Sequence, residues 1–331
     1  MKWEILSQNG SVPVARSSHS VTHVSNANSL YLFGGEHDPR TPISNEFYAY
    51  NLESANWEII QAAGLRPEPR VAHTAAVVQD SSSIYIFGGR SGKEMGEGAF
   101  DDLHLFDTST SMWSLVTDEK GTPPPKRSFH TAAVAGSSMY IFGGCGAEGR
   151  LADLHQFDTK ANQWHQLPEH DSIKGRGGSC LIASSDQRSL FLLGGFCGHE
   201  LADMYCFDLV AGKWREVTGL PFARSVFGAA AHCCTSTACD LHGAVIVFGG
   251  EVDPSDKGHE GAGDFCSDLT YLPQGSEAVW TSVDLSSASM AQRPSARGWY
   301  AYTSVNGNLL IHGGLDCKNE RLGDMYLFNC S

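Results

Sequence analysis

The 331-residue sequence lacks the features of several protein classes. No run approaches the roughly 18 apolar residues that a membrane-spanning helix needs. Lys and Arg number 23 against 37 Asp and Glu, a formal net charge of −14, which disfavours nonspecific binding to nucleic acid or to an anionic membrane. The opening residues, MKWEILSQNG, lack the basic and apolar regions of a secretion signal, so we expect a soluble cytoplasmic protein.

The motifs of several common active sites are missing as well. The sequence contains no GxGxxG or GxxxxGK[ST] phosphate loop, no HExxH and no GxSxG. It has ten cysteines but no CxxC pair, and most are expected to be reduced thiols that pack as small hydrophobes. An insertion with Cys233, Cys234 and Cys239, close to His232 and His242, could instead bind zinc, although it lacks the usual paired spacing.

What the sequence does have is a repeat. Six short apolar segments end in a glycine pair, and successive pairs are 51 to 64 residues apart. The pairs end at Gly35, Gly89, Gly144, Gly195, Gly250 and Gly314. In most copies a strand-like segment such as DLHLFD follows, and then a tryptophan: Trp57, Trp113, Trp164, Trp214 and Trp280. Each unit thus holds four short segments rich in β-branched and aromatic residues, which predicts antiparallel strands.

Four strands per unit, repeated six times, resemble the kelch repeat of β-propellers. We therefore predict an all-β, six-bladed kelch-type propeller that occupies residues 1–331 as one domain. Its blades are expected at about 13–60, 67–116, 123–167, 174–217, 221–283 and 294–331 plus 1–6. The last unit stops at MYLFNCS without a tryptophan, and Trp3 supplies one, so the N-terminal strand should complete the last blade.

A second repeat places an arginine just before the innermost strand of each unit. The six are Arg16, Arg70, Arg127, Arg176, Arg224 and Arg297. At one phase of the repeat they are predicted to form a ring at one mouth of the central channel, where guanidinium groups would bind a carboxylate, sulfate or phosphate. Alternatively, they pair with acidic neighbours such as Glu36 and Glu251 and tie the blades together.

Histidines and aromatic residues recur beside these arginines. His19, His73 and His130 each stand three residues after an arginine, and this regular recurrence favours a packing role on the innermost strands. The aromatic residues in the same part of the repeat are Phe129, Phe227 and Trp299. They are expected to give the mouth the aromatic lining that ligand pockets usually have.

The segments RSSH, RSFH, RGG, RSVF, RGW and HGG resemble the register of the plant specifier proteins (the epithiospecifier, nitrile-specifier and thiocyanate-forming proteins). These are six-bladed kelch proteins that redirect the breakdown of glucosinolate aglycones. The resemblance implies pocket arginines and a ferrous ion held on the fifth-blade loop by a Glu-x3-Asp-x3-His motif. In this chain Glu251 and His259 match that motif, Ser255 stands at the Asp position, and Asp253 or Asp256 is the nearest substitute. Carboxylate and imidazole ligands suit Fe(II) with open positions.

Two functions follow. In the first, the arginine-lined face is a binding module for an acidic protein segment or a small anion. The alternative is an Fe(II)-dependent lyase like the specifier proteins, acting on a glucosinolate-aglycone-type or other sulfur- or sulfate-bearing small molecule. In that enzyme Arg127, Arg297 and Trp299 would be the catalytic residues.

Overall fold

In a computed structural model of the chain, the strands form six main sheets that follow one another in chain order. The structure describes residues 1–78, 82–93, 97–232, 243–253, 263–274, 278–284 and 293–329. The six sheets confirm the predicted all-β, six-bladed propeller. A single 3-10 turn, Ser25–Ala27, interrupts the strands of the first blade. No helix within the described ranges is long and apolar enough to cross a membrane.

Each blade consists of four main antiparallel strands, which follow one another from the axis outward. Blade 1 contains Ser20–Val24, Ser29–Phe33, Phe47–Asn51 and Asn56–Ile59. Blade 2 contains Thr74–Val77, Ser83–Phe87, Leu103–Asp107 and Met112–Leu115. Blade 3 contains Thr131–Ala135, Ser138–Gly146, Gly149–Asp158 and Gln163–Gln166.

The other three blades follow the same order. Blade 4 contains Cys180–Ala183, Ser189–Leu193, Met204–Asp208 and Lys213–Val217. Blade 5 contains Gly228–Ala231, Val245–Phe248, Leu269–Leu272 and Thr281–Ser282, with a small hairpin of Glu251–Asp253 and Asp264–Phe265. Blade 6 contains Ala301–Val305, Asn308–Asp316, Arg321–Asn329 and the N-terminal Lys2–Ile5, with Arg297–Gly298 beside its second strand. Two short strands, Asn9–Gly10 and Ala63–Gly64, run parallel to the outer strands of blades 1 and 2.

The N-terminal strand closes the ring, as the sequence predicted. Lys2–Ile5 pairs antiparallel with Arg321–Asn329, and Trp3 stands opposite Phe328. The Trp3 ring is 5% exposed and meets Phe248 of blade 5 edge to face, with the ring centroids 5.0 Å apart. The last blade is therefore completed by main-chain bonds to the start of the chain, and the edge of Arg321–Asn329 is covered by Lys2–Ile5.

The hydrophobic core lies between neighbouring blades rather than in one central mass. Trp57, Trp113 and Trp164 are each at most 2% exposed, and each packs in a cluster that also contains residues of the preceding blade. These repeated tryptophans therefore fix the spacing of adjacent blades by filling the gap between two sheets.

The glycine pairs join the blades through the main chain. In all six, the second glycine's N–H donates to the carbonyl of the arginine of the next blade, at 2.8–3.0 Å. Gly35 has φ +95°, and a Cβ there would lie 2.7 Å from the Cβ of His19. A Cβ on Gly34 would lie 2.7 Å from Cε1 of His73 in the next blade. The pair is glycine because two backbones and a histidine ring occupy the space that side chains would need.

Candidate functional site

The six repeated arginines are buried inside their own blades. Each is at most 1% exposed, and its Nη1 donates to the carbonyl of the first glycine of that blade's pair, at 2.9–3.1 Å. Five of them also form a two-bond ion pair with an aspartate near the start of the third strand. The pairs are Arg70–Asp102, Arg127–Asp153, Arg176–Asp203, Arg224–Asp268 and Arg297–Asp324. The fork of each guanidinium is matched by a carboxylate, the geometry that gives the strongest pairs.

Blade 1 has a different acid at this position. Glu46 accepts hydrogen bonds from the hydroxyl groups of Tyr48 (2.7 Å) and Ser44 (3.0 Å), and Arg16 lies over the Tyr48 ring, 5.4 Å from its centroid. Burial lowers the pKa of Arg16, although Tyr48 and Glu46 oppose that shift. Arg16 is thus the one arginine of the six that holds no aspartate among the described residues.

The placement of these arginines changes how the sequence pattern is interpreted. Their partners are aspartates and glycine carbonyls, not Glu36 or Glu251, and none of the six lines the central cavity. The ligand role predicted for them, and the catalytic role predicted for Arg127 and Arg297, would require paired donors to leave their aspartates. Two further arginines, Arg90 and Arg150, lie elsewhere at the mouth.

A closed ring of main-chain hydrogen bonds surrounds the mouth of the channel. It is formed by the residues two positions after the arginines, which we call the collar: Ser18, Ala72, Phe129, Gly178, Val226 and Trp299. Each collar N–H donates to the collar carbonyl of the preceding blade at 2.7–3.0 Å, and all six have φ between 46° and 60°. A β-branched or aromatic residue in this left-handed region costs about 1–3 kcal/mol, so the collar holds its shape against local strain.

Two predicted aromatic residues of the collar meet above the channel. Phe129 belongs to blade 3 and Trp299 to blade 6, which are opposite blades, and their ring centroids are 5.5 Å apart at 82°. Below them lies a central cavity of about 190 Å³, and Phe227, 3% exposed, forms part of its wall. The structure thus brings together at the channel all three aromatic residues that the sequence selected.

A second ring, outside the collar, carries the charges of the mouth. It consists of the residues that follow the glycine pairs, which we call the mouth ring: Glu36, Arg90, Cys145, Phe196, Glu251 and Leu315. Each of them bridges to the residue that follows the repeated arginine of its own blade. Because these positions are equivalent in every blade, the side chains at them determine how the six-fold mouth differs from one side to the other.

Two arginines that the sequence reasoning missed lie on the side of the mouth formed by blades 2 and 3. The Arg90 guanidinium, in a residue 3% exposed, lies over the Phe129 ring, 4.9 Å from its centroid. Arg150 pairs with Cys145 across the blade-3 hairpin and is half-buried over the Phe196 ring, at 4.7 Å. Burial raises the pKa of the Cys145 thiol, while Arg150 and Arg90 both oppose that rise, so both charges act at the same point. Among the described residues Arg150 has no carboxylate partner.

Blade 6 repeats this arrangement on the opposite side with a different result. Arg321 pairs with Leu315 as Arg150 pairs with Cys145, but its Nη2 lies 3.7 Å from the Glu36 carboxylate of blade 1. Glu36 also accepts a 2.7 Å hydrogen bond from the Arg40 N–H. Burial raises the pKa of Glu36 despite these neighbours. Glu36 thus offsets the charge of Arg321 and also interacts with Arg90, whereas Arg150 on the other side has no carboxylate partner among the described residues.

The predicted metal site is described only in part. Glu251 is 8% exposed, and one of its carboxylate oxygens lies where a Cβ on Gly263 would come within 2.3 Å. Asp253 is exposed and near Glu200, whose pKa is raised by burial and by Asp253. Ser255, Asp256 and His259 lie outside the described residues, as do Cys233, Cys234, Cys239 and His242 of the candidate zinc insertion. His232 is described and its Nδ1 is 2.6 Å from the Gly307 carbonyl oxygen.

In the part of the chain that the structure describes, no three His, Cys, Asp or Glu side chains lie close enough together to hold a metal ion. Glu251 and Asp253 supply the oxygen donors that Fe(II) accepts, but the imidazole that would complete the set is His259. The fifth-blade iron site therefore remains a prediction.

Comparisons with known proteins agree with the fold. Residues 21–250 match the family model described as "KLHDC2/KLHL20/DRC7 Kelch-repeats domain". The chain is 30% identical to N-(sulfonatooxy)prop-2-enimidothioate sulfolyase of Thlaspi arvense, over 96% of this chain and 94% of that protein. It is 28% identical to kelch domain-containing protein 3 of Bos taurus over 76% of this chain, and spans 65% of that longer protein. The structure of YjhT matches with a TM-score of 0.73 over 96% of this chain and 95% of that one, at 18% identity, and so shares the fold. From its repeats, its closed six-bladed ring and these matches, the chain belongs to the kelch-repeat β-propeller family and is similar to a plant specifier-type sulfolyase.

Proposed function

We propose that this protein is a specifier-type lyase that removes sulfate from a small sulfated imidothioate of the glucosinolate-aglycone type, at the channel mouth. The observation that carries the proposal is the pair of arginines, Arg90 and Arg150, which act together on Cys145 and each lie against an aromatic ring. The similarity to a sulfolyase over nearly the whole of both chains supports the same reaction class.

A sulfate ester suits these two side chains. Guanidinium donors match the oxygens of a tetrahedral anion, and a charge-assisted hydrogen bond is roughly twice as strong as a neutral one. Arg150 is half-buried with no carboxylate partner in the described structure, so an incoming sulfate displaces no internal ion pair from it. The stacking of Arg90 on Phe129 and of Arg150 on Phe196 limits the rotamers of both side chains before the ligand arrives.

The reaction needs little from the protein beyond stabilisation of a leaving group. In a sulfated imidothioate the N–O bond breaks and both of its electrons leave with sulfate, which carries away two negative charges. The remaining atoms, one side chain with one carbon, one nitrogen and one sulfur, form a neutral molecule, so no atom is added and no oxidant is consumed. Two guanidinium groups at the sulfate would stabilise the charge that develops on the leaving oxygen more than the charge of the ground state.

The fifth-blade loop belongs to this proposal. Glu251 and His259, with Asp253 or Asp256, would hold a ferrous ion beside the mouth. When bound, such an ion supplies a Lewis acid that can accept the sulfur of the substrate. Arg90 and Arg150 would orient the sulfate, and the rings of Phe129 and Trp299 would shield the reacting atoms from water.

A different function, binding of an acidic protein segment or small anion without conversion, would use the same two arginines.

The test is to release the aglycone from allyl glucosinolate with a thioglucosidase, with and without the protein and Fe(II), and to measure the organic products by gas chromatography. We expect the protein to change the product ratio, and Arg150→Gln and Arg90→Gln each to remove most of that change. Arg215→Gln, on the exposed outer strand of blade 4, is the matched control.

An unchanged product ratio with wild-type protein and Fe(II) would show that the proposed reaction is wrong. If the protein nevertheless binds inorganic sulfate in calorimetry, and Arg150→Gln weakens that binding, the binding module is the correct function.

A further inference from the structure

We infer that the central channel below Phe129 and Trp299 is a second compartment of the site, which receives the uncharged side chain of the ligand while its anionic group stays at the mouth. The inference rests on the proposed function for the identity of the ligand, but its physical basis is separate. That basis is the size of the cavity, the charge of its walls and the Phe129 ring, which lines the cavity and has Arg90 over it.

The cavity is large enough for a small organic group. Its volume of about 190 Å³ corresponds to roughly six water molecules at ~30 Å³ each. Small residues on the innermost strands, among them Ala75, Ala132 and Ala301, leave this space open. A short alkenyl or alkyl chain of a few carbons fits in it, whereas a peptide does not.

The walls carry no fixed charge. None of the residues that line the cavity is Lys, Arg, Asp or Glu. His19, His73 and His130 do line it, but burial lowers the pKa of each well below its ordinary value, so all three are neutral at physiological pH. Moving a sulfate from the arginine-rich mouth into such a cavity would leave its charge uncompensated, which is strongly unfavourable. The anionic group of the ligand therefore stays at the mouth while its uncharged part enters the cavity.

The wall formed by blades 5 and 6 is suited to an unsaturated or apolar chain. Tyr300 donates its hydroxyl proton to the Phe248 carbonyl (2.5 Å), and the Tyr302 hydroxyl lies 3.3 Å from the Cys180 sulfur, so the hydroxyl groups are occupied and the rings form the surface. Phe227 adds a third ring beside them. Burial of a few methylene groups against these rings favours binding of an apolar chain.

The wall formed by blades 1 to 3 has two hydrogen bonds between blades. Ser20 Oγ lies 2.8 Å from His73 Nε2, and Thr74 Oγ1 lies 2.9 Å from His130 Nε2. These bonds link blade 1 to blade 2 and blade 2 to blade 3 and occupy Nε2 of both rings, while Nδ1 of each ring is buried without a hydrogen-bond partner. The selectivity that follows is for a short, uncharged side chain, and a carboxylate on that chain should exclude the ligand.

The experiment compares a neutral probe with a charged probe of the same shape. Ligand-observed NMR would measure the binding of but-3-enenitrile and of but-3-enoate to wild-type protein whose mouth is saturated with inorganic sulfate. We expect the nitrile to bind and the carboxylate not to bind. Ala132→Leu and Ala75→Leu, at two partly exposed positions of the cavity wall, should each weaken nitrile binding about tenfold or more and leave sulfate binding unchanged. Ala211→Val, on an exposed turn of blade 4, is the control.

The outcomes separate the two proposals. Equal binding of the nitrile and the carboxylate, or unchanged nitrile binding in folded Ala132→Leu and Ala75→Leu proteins, overturns the channel inference and leaves the sulfate site standing. Sulfate binding without any effect on the aglycone products overturns the proposed reaction but not the channel. If both leucine variants fail to fold by circular dichroism, Ala132→Val and the wild-type comparison of the two probes still decide the question.

Discussion

The N–H of Gly314 donates a 3.0 Å hydrogen bond to the carbonyl of Arg16, and this bond joins the last blade to the first. The same bond, from a second glycine to the next arginine, joins every other pair of adjacent blades. The repeat therefore encodes an inter-blade link as well as a blade. The arginine takes part twice, since its side chain holds the glycine pair of its own blade.

Gly314, whose N–H makes the closing bond, is sensitive to substitution because of its conformation and its neighbours in its own blade. It has φ +102°, and a Cβ there would lie 2.7 Å from the Gly298 carbonyl oxygen, so Gly314→Ala combines backbone strain with a clash against backbone. We expect it to lower the free energy of unfolding by about 3 kcal/mol or more. Gly212→Ala, at φ +63° with open space around it, should cost only about 1–2 kcal/mol in the same urea titration. Equal effects would show that the close contact of Gly314 with Gly298 and Tyr300 inside blade 6 contributes nothing.

The second prediction about stability concerns Trp3 of the N-terminal strand. Trp3 is 5% exposed among residues of blades 5 and 6, so Trp3→Ala should lower the free energy of unfolding by about 3–5 kcal/mol. Ile5 lies on the same strand but is 54% exposed, and Ile5→Ala should stay within about 0.5 kcal/mol of wild type. A large effect of Ile5→Ala with none of Trp3→Ala would contradict closure by this strand.

The buried, aspartate-paired arginines differ from the half-buried Arg150, and mutation should separate the two kinds. Arg127 is 0% exposed and paired with Asp153 at 2.7 and 2.8 Å, so Asp153→Ala leaves a buried charge without its partner and should destabilise the protein by about 3–5 kcal/mol. Arg150→Gln should change stability by less than about 0.5 kcal/mol. Thermal and urea unfolding measure both. If Asp153→Ala is as stable as wild type, the arginine ring is free to serve a ligand, as the sequence first suggested.

The sequence predicted the blades, their number and the closing strand because each depends on residues that recur at a fixed spacing. Trp3 was identified as the missing sixth tryptophan by this arithmetic alone. The same regularity selected the six repeated arginines as the ligand site, and that assignment stays a prediction. Arg127 and its five equivalents hold the glycine pair that every blade has, whereas Arg90 is the one arginine of the mouth ring and Arg150 has an equivalent in Arg321 of blade 6. Arg90 and Arg150 act on the same thiol because loops of two neighbouring blades face each other, and the spacing of residues along the chain does not reveal which loops do so.

Buried histidines should make stability fall in mild acid. Burial lowers the pKa of both His73 and His312 to about 3, from an ordinary value of 6.5. Between these values the unfolded chain binds protons that the folded chain does not, so the free energy of unfolding falls as the pH is lowered, by up to about 1.4 kcal/mol per pH unit for each histidine. Other kelch units of this chain mostly have phenylalanine where His312 stands, and His312→Phe should reduce the slope between pH 4 and 6. His165→Gln, on the exposed outer strand of blade 3, should leave the slope unchanged.

Binding of Fe(II) will decide whether the fifth-blade loop is a metal site. Glu251 stands on the mouth ring with Asp253 two residues on, and the third ligand beside Glu251 and His259 must come from Asp253 or Asp256, because Ser255 occupies the motif's aspartate position. Anaerobic calorimetric titration should show one saturable site in the wild type. Glu251→Gln and His259→Ala should each weaken it by at least about tenfold, as should the asparagine variant of whichever aspartate is a ligand. Glu216→Gln, exposed on the outer strand of blade 4, serves as the control for a lost surface carboxylate. A flat titration of the wild type would remove iron from the proposal, and sulfate release would then have to depend on Arg90 and Arg150 alone.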